Sequence, residues 1–281
     1  MPLPDLRIQQ ALLVADPRGV RVAAQSDDFD AAEAERLAVL FGIPPSGVAC
    51  PLAHFAQPFG RGHVAVVQVA DRAGGHGWAF RFLILAADLY RHLGDPFAVA
   101  DHFPPDWSAT GPLPVLEWPP APLPPRTAAE LQDVLKACDA ATEEMALLLG
   151  STQALVDGGR VTLLRPEPAE RFVRALWKLL PDKARAGMWP ASFMFGTGLR
   201  FDAAVLPMLP PGETVVRLTE DGLKGYPAGN YELQLQVAVE AGDDRDLAAL
   251  LARRTGDDTI RLGLTIIAAA LLAAVVFKFV L

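Results

Sequence analysis

The chain has 281 residues, 51% of them hydrophobic and 21% charged, and a net charge of −8 at pH 7. Its last 21 residues contain Arg261 and Lys278 and no acid, so the part before them carries −10. This acidic balance argues against nonspecific nucleic-acid binding, which needs clustered Lys and Arg. Two cysteines, Cys50 and Cys138, give no disulfide scaffold.

The chain opens without a basic stretch leading into an apolar one, so no secretory signal is read there and the body is expected in the cytosol. Ile8 to Ala15 and Val20 to Ala24 read as a hairpin across Asp16-Pro17-Arg18-Gly19, whose Asp, Pro and Gly suit a type I turn. Asp30 with Glu33 three residues on predicts a capped helix bearing Leu37, Leu40 and Phe41 and ending at Gly42. His63–Val69 and Trp78–Ala86 read as strands joined by a Gly-rich loop. The second is apolar on both faces, hence central in its sheet, and its Arg81 needs an acidic or carbonyl partner. A helical piece over Asp88–Leu93 follows, and Asp95-Pro96 is a cap with the favoured first-turn proline.

Nine prolines fall among the 22 residues from Pro104 to Pro125, which favours extended geometry over helix or central strand. The segment 104–125 is read as a linker between an N-terminal α+β domain, 1–103, and a second one, 126–254, or as a strap over a single core. Beyond it, Thr127 and Glu130 open a long helix carrying Leu131, Val134, Leu135, Cys138, Met145 and Leu149 and closed by Gly150. Another helix runs from near Pro168 to Pro181, burying Phe172, Val173, Leu176, Trp177 and Leu180. Val161–Leu164, Ala203–Leu206 and Thr214–Thr219 are expected strands. Tyr231, Leu233, Leu235, Val237 and Val239 alternate with polar residues, predicting a half-buried strand. A last helix, Asp244–Arg254, leads into a short polar linker, 255–261. The expected class is α+β with antiparallel pairing dominant.

No motif names a reaction. Cys50 and His54, with His63 nearby, suggest a thiol nucleophile with its base, but such partners usually meet in space and the spacing is not diagnostic. His76, His92 and His102 show no paired spacing, so neither a metal nor a cofactor is expected. Gly74-Gly75-His76-Gly77 precedes a strand and not a helix, which suits a hairpin tip better than a phosphate cradle. Two stretches, Gly94–Trp107 and Met188–Pro207, crowd aromatics and prolines. They are packing corners or a recognition surface. In the second case Trp189, Phe193, Phe195 and Arg200 are the candidate anchors for a protein partner.

A resemblance rests on these stretches. FRFLIL (80–85) with LYRHLGDPFAVADHFPPDW (89–107) resembles the N-terminal domain of bacterial GTPase-associated proteins, and LWKLLPDKARAGMWPASFMFGTGLRFDAAVLP (176–207) is similar to the segment that follows it there. Together they cover about a third of the chain, in packing residues and not catalytic ones. The resemblance implies an accessory or adaptor role beside a GTPase or other effector in a bacterial multi-gene system. It carries no functional residue over.

Residues 262–281 contain one ionisable group, Lys278, near the far end. Twenty helical residues at about 1.5 Å each span about 30 Å, the hydrocarbon thickness of a bilayer. Leu262, Ile266, Ile267, Leu271, Leu272, Val275, Val276 and Phe277 would face lipid, and Lys278 would snorkel to the headgroups. Arg253, Arg254 and Arg261 precede the span, so the positive-inside bias puts the body in the cytoplasm. The expectation is a single-pass anchor in the inner membrane holding a cytosolic adaptor or scaffold. The alternative is a membrane-tethered hydrolase using Cys50 or a Ser–His pair.

Overall fold

The computed structural model describes residues 5–253, apart from 17, 43, 44, 46, 73–76, 139–142, 209–219 and 227–228. The fold is α+β: one mixed sheet with helices packed against it.

The first hairpin pairs β1 (Arg7–Asp16) with β2 (Gly19–Gln25), antiparallel. At the turn the Arg18 amide donates to Asp16 Oδ1 at 2.8 Å. Helix α1 (Ala31–Phe41) follows, its first turn held by the Glu33 amide donating to Asp30 Oδ1. Then come β3 (Ala53–Phe59), β4 (His63–Asp71) and β5 (Trp78–Ala86), all antiparallel neighbours. β5 returns beside β1, so the first strand and the fifth lie together in the middle of the sheet. Two short helices, α2 (Ala87–Leu93) and α3 (Pro96–His102), complete this half; Asp95 Oδ1 accepts from the Phe97 and Ala98 amides as the α3 cap.

The proline segment lies along this sheet. Its short strands β6 (Gly111–Pro112) and β7 (Leu116–Glu117) pair with β2 and β1, and the Leu113 and Trp118 amides donate to Gln25 and Leu6 carbonyls. Prolines are tolerated there because an edge or short strand spends few donors.

The second half adds α4 (Ala128–Lys136), α5 (Glu144–Val156), β8 (Val161–Leu164), α6 (Glu170–Leu179), α7 (Asp182–Arg185), β9 (Pro190–Ala191) and β10 (Ala203–Leu206). After them come α8 (Glu220–Lys224), α9 (Asn230–Ala241) and α10 (Asp244–Leu251). β9 joins β3 antiparallel, while β10 runs parallel to both β9 and β8. Both halves therefore contribute to one sheet, in the order β6-β2-β1-β5-β4-β3-β9-β10-β8.

One sheet face packs Leu13, Phe55, Val67, Phe80 and Phe82 against Leu37 and Phe41 of α1, in a core that continues into α5, α6 and α9. The other packs Ile8, Val66, Leu83 and Leu85 against Leu89, Tyr90 and Leu93 of α2 and Trp118 of the proline segment. The two-faced burial expected of β5 is thus observed.

Three expectations fail on tertiary grounds. Residues 231–239 form the helix α9, not a strand: Tyr231, Leu235, Ala238 and Val239 are buried, while Leu233 and Val237 stand 50% and 66% exposed. Both periods coexist in the stretch, and packing on α4, α5 and α10 selects the helical one. The single helix read from Thr127 to Gly150 is two, and Gly150 lies inside α5. There it admits the α8 backbone, since a Cβ on it would sit 2.1 Å from the Leu223 carbonyl oxygen. Cys138 is partly buried at the margin of the main core, whereas Met145 is exposed and leaves the expected stripe. The strand expected over 214–219 lies outside the described residues.

Gly150→Ala is expected to destabilise the fold by about 1–3 kcal/mol, because helix propensity gains little against a clash with backbone. A chemical denaturation curve at or above wild-type stability would contradict this reading of α5 against α8.

Candidate functional site

Four inward-pointing polar side chains interrupt the second sheet face at one level. His54 of β3 is paired with Gln68 of β4, and Gln68 with Arg81 of β5. Arg81 is paired in turn with Leu12 of β1, and Gln10 of β1 lies one step along the same face. Directly paired residues share a face, so the strand register turns four separate polar residues into one row. All four are buried; His54 is 3% and Arg81 7% exposed.

The row is linked by hydrogen bonds. Arg81 Nη1 donates to Gln68 Oε1 at 3.2 Å and to the Phe103 carbonyl at 2.5 Å, and Nη2 donates to Gln10 Oε1 at 3.0 Å. Gln10 Nε2 donates onward to the Pro114 carbonyl at 2.8 Å. A guanidinium only donates, so it fixes the Gln68 carbonyl toward itself and leaves the Gln68 amide facing His54. That contact, Nε2 to Nε2 at 3.4 Å, gives the imidazole Nε2 the accepting role and places the proton on Nδ1. Nδ1 lies 2.8 Å from Glu170 Oε1, at the first residue of α6.

Glu170 Oε1 also takes Arg174 Nε at 2.5 Å, one helical turn along, and Arg174 holds Asp101 of α3 with both Nη atoms, at 2.7 and 2.9 Å. Arg174 lies over the Phe97 ring at 4.9 Å. Burial raises the Glu170 carboxyl, but His54, the Ser192 hydroxyl and Arg174 outweigh it and hold the group below its ordinary value. Burial lowers Arg174, yet Asp101 and Glu170 more than restore it, and it ends above its ordinary value. Burial alone brings Arg81 down to about 10, still well above neutrality. The carbonyl alternative expected for Arg81 is the one realised: among the described residues no carboxylate touches it.

The Asp101 end of this chain opens on a cleft of about 930 Å³ between α3, α4, α6 and the end of the proline segment. Several of its charges are matched: Arg126 with Asp182, Lys178 with Glu130, and Arg185 with Asp95 and Asp182. Arg126 caps the C-terminal end of α6 through the Lys178 and Leu180 carbonyls, and the Tyr231 hydroxyl donates to the Leu179 carbonyl.

Of the residues singled out in the sequence, His54 joins this chain and Cys50 does not. Cys50 is 0% exposed, and its backbone exchanges hydrogen bonds with Asp71. Burial first, then the Asp71 and Glu170 charges, push its thiol up to about 12, so it lacks the thiolate that nucleophilic chemistry requires. A Ser–His–acid triad needs the imidazole between hydroxyl and carboxylate. Here Glu170 lies between Ser192 and His54, and Ser192 Oγ accepts the His54 backbone N–H at 2.8 Å. The two imidazole nitrogens face Gln68 and Glu170 and not a hydroxyl.

The aromatic candidates are packing residues. Phe193 is wholly buried, and Phe195 wedges against Trp78, Phe41 and Phe193. Trp189 stacks on Tyr90 at 5.4 Å and bridges the two cores. Arg200 is exposed, and its carbonyl accepts from Gln57. Trp189 and Phe195 are half-buried, each with one side packed on the core. Among the described residues, no three His, Cys, Asp or Glu side chains gather as a metal site. No known protein-family model matches this chain, and no curated protein matches its sequence significantly.

Gln10, Gln68, Glu170, Arg174 and Ser192 were missed. Gln10, Gln68 and Arg81 do share one signal, a polar residue at a core phase of an apolar strand, but the strand order that joins them is not local information.

Replacing Glu170 by Gln should cost about 1–3 kcal/mol near neutral pH, by breaking charge-assisted bonds to His54 and Arg174. A carboxyl held low contributes fully above its unfolded value, here about 4.5, and loses that contribution as pH falls through its lower folded value. Urea melts should therefore separate wild type from variant at neutral pH and converge in strong acid. In thiol-reagent labelling of the native chain, Cys138 should react before Cys50. Rapid native labelling of Cys50 would restore the nucleophile reading.

Proposed function

We propose that this chain is a membrane-anchored adaptor or scaffold, with residues 262–281 crossing the inner membrane once and the acidic body on the cytoplasmic side. The observation that carries the reading is the uncharged run from Leu262 to Phe277, bounded by Arg261 and Lys278. Among the described residues no helix is long and apolar enough to cross a membrane, so the anchor rests on the segment outside them. Supporting the non-enzymatic side, the polar groups nearest to a catalytic arrangement are spent on one another.

The partner side of the proposal follows the resemblance of residues 80–107 and 176–207 to GTPase-associated proteins. In this reading a GTPase or other effector docks at the α6 cleft, whose rim presents Arg171, Lys178 and Glu130. Tethering raises the local concentration of that partner at the membrane.

Full-length protein should stay with membranes through an alkaline wash, and a chain lacking 262–281 should be released. Full-length protein that washes off refutes the anchor. A photo-cross-linker at position 171, used in native membranes, should capture one discrete protein; capture of none refutes the adaptor role.

A further inference from the structure

The end of the polar row opposite the α6 cleft opens on a second space, a cavity of about 290 Å³ between β1, β5 and the proline segment. Arg81 lines it and is 93% buried, being 7% exposed. Its five N–H groups make three bonds, all to neutral oxygens. Among the described residues, neither Nε nor the second hydrogen of Nη2 has a protein acceptor. Two free donors on one guanidinium match the two oxygens of a carboxylate.

A buried cation with only neutral partners is costly, and an anion meeting its free donors offsets that cost. The rest of the cavity selects among anions. Leu12, Pro104, Leu113 and Leu116 supply an apolar wall. Asp106, which also lines the cavity and is held by the Ser108 amide and hydroxyl, opposes a second negative charge. His102 lines the space as well, packed against Phe103 and Trp118.

We propose that this cavity is a binding site for a small monocarboxylic acid, its carboxylate seated on the free guanidinium donors of Arg81 and its short apolar chain against the proline segment. The site is independent of the membrane anchor and of the α6 cleft. It ties ligand to fold, because Arg81 also holds the Phe103 carbonyl at the start of that segment.

Ligand-observed NMR titrations of the full chain in lipid nanodiscs, with butanoate, butanamide and inorganic phosphate, test this. Butanoate should bind saturably, and butanamide and phosphate at least about tenfold more weakly, the loss expected for one charged hydrogen-bonded contact. Arg81→Met, which keeps the stem, should abolish butanoate binding. Leu113→Trp, which fills the space and leaves Arg81 in place, should do the same while melting as wild type does. Phosphate binding as tightly as butanoate, butanoate binding that survives either variant, or no saturable butanoate binding overturns the proposal.

Discussion

A guanidinium buried in the middle of a sheet governs this structure. Arg81 sits on β5 between two strands whose other inward residues are apolar, and every group that reaches it is placed by a different element. Gln68 comes from β4, Gln10 from β1 and the Phe103 carbonyl from the end of α3. Shifting any of these strands by one residue would flip its polar member to the opposite face and leave the charge without acceptors, a penalty far larger than one hydrogen bond is worth. The row therefore specifies register more than it adds stability. Apolar replacement of the whole row would pack as well and discriminate less.

From this row the interactions spread to both ends of the molecule. At one end Gln10 reaches the Pro114 carbonyl and so ties down the proline segment. At the other, His54 passes the connection to Glu170, and Glu170 to Arg174 and Asp101. Helix α6 is the hub there. Its apolar side enters the large core through Phe172, Leu176 and Trp177, and its C-terminal carbonyls are held by Arg126 and Tyr231. The chain segments before and after the prolines are thus joined by a shared sheet and by a continuous polar path.

Much of the first half was legible in the sequence, because its signals are local. The Asp30 and Asp95 caps and the limits of β5 each depend on residues a few positions apart. The same holds for α6, whose buried face was read nearly residue by residue. What failed was decided at a distance. Tyr231 to Val239 alternates well enough to make a strand, but the available neighbours are helices, so Leu233 and Val237 turn outward. Gly150 looks like a stop only until the α8 backbone is seen against it. In the site, Arg81 announced its need for an acidic or carbonyl partner, whereas its partners could be named only once β1 was known to lie beside β5.

That pairing of the first strand with the fifth also orders events during synthesis. Ile8 meets Leu85, 77 residues later, so β1 leaves the ribosome with β2 on one side and nothing on the other. At about 5–20 residues per second, the wait is several seconds. Through that interval a nearly uncharged edge, Ile8 to Val14, stands open to any other nascent strand. Chaperone dependence of this protein should thus be concentrated in the first third of translation, before α6 or the apolar C-terminal run exists.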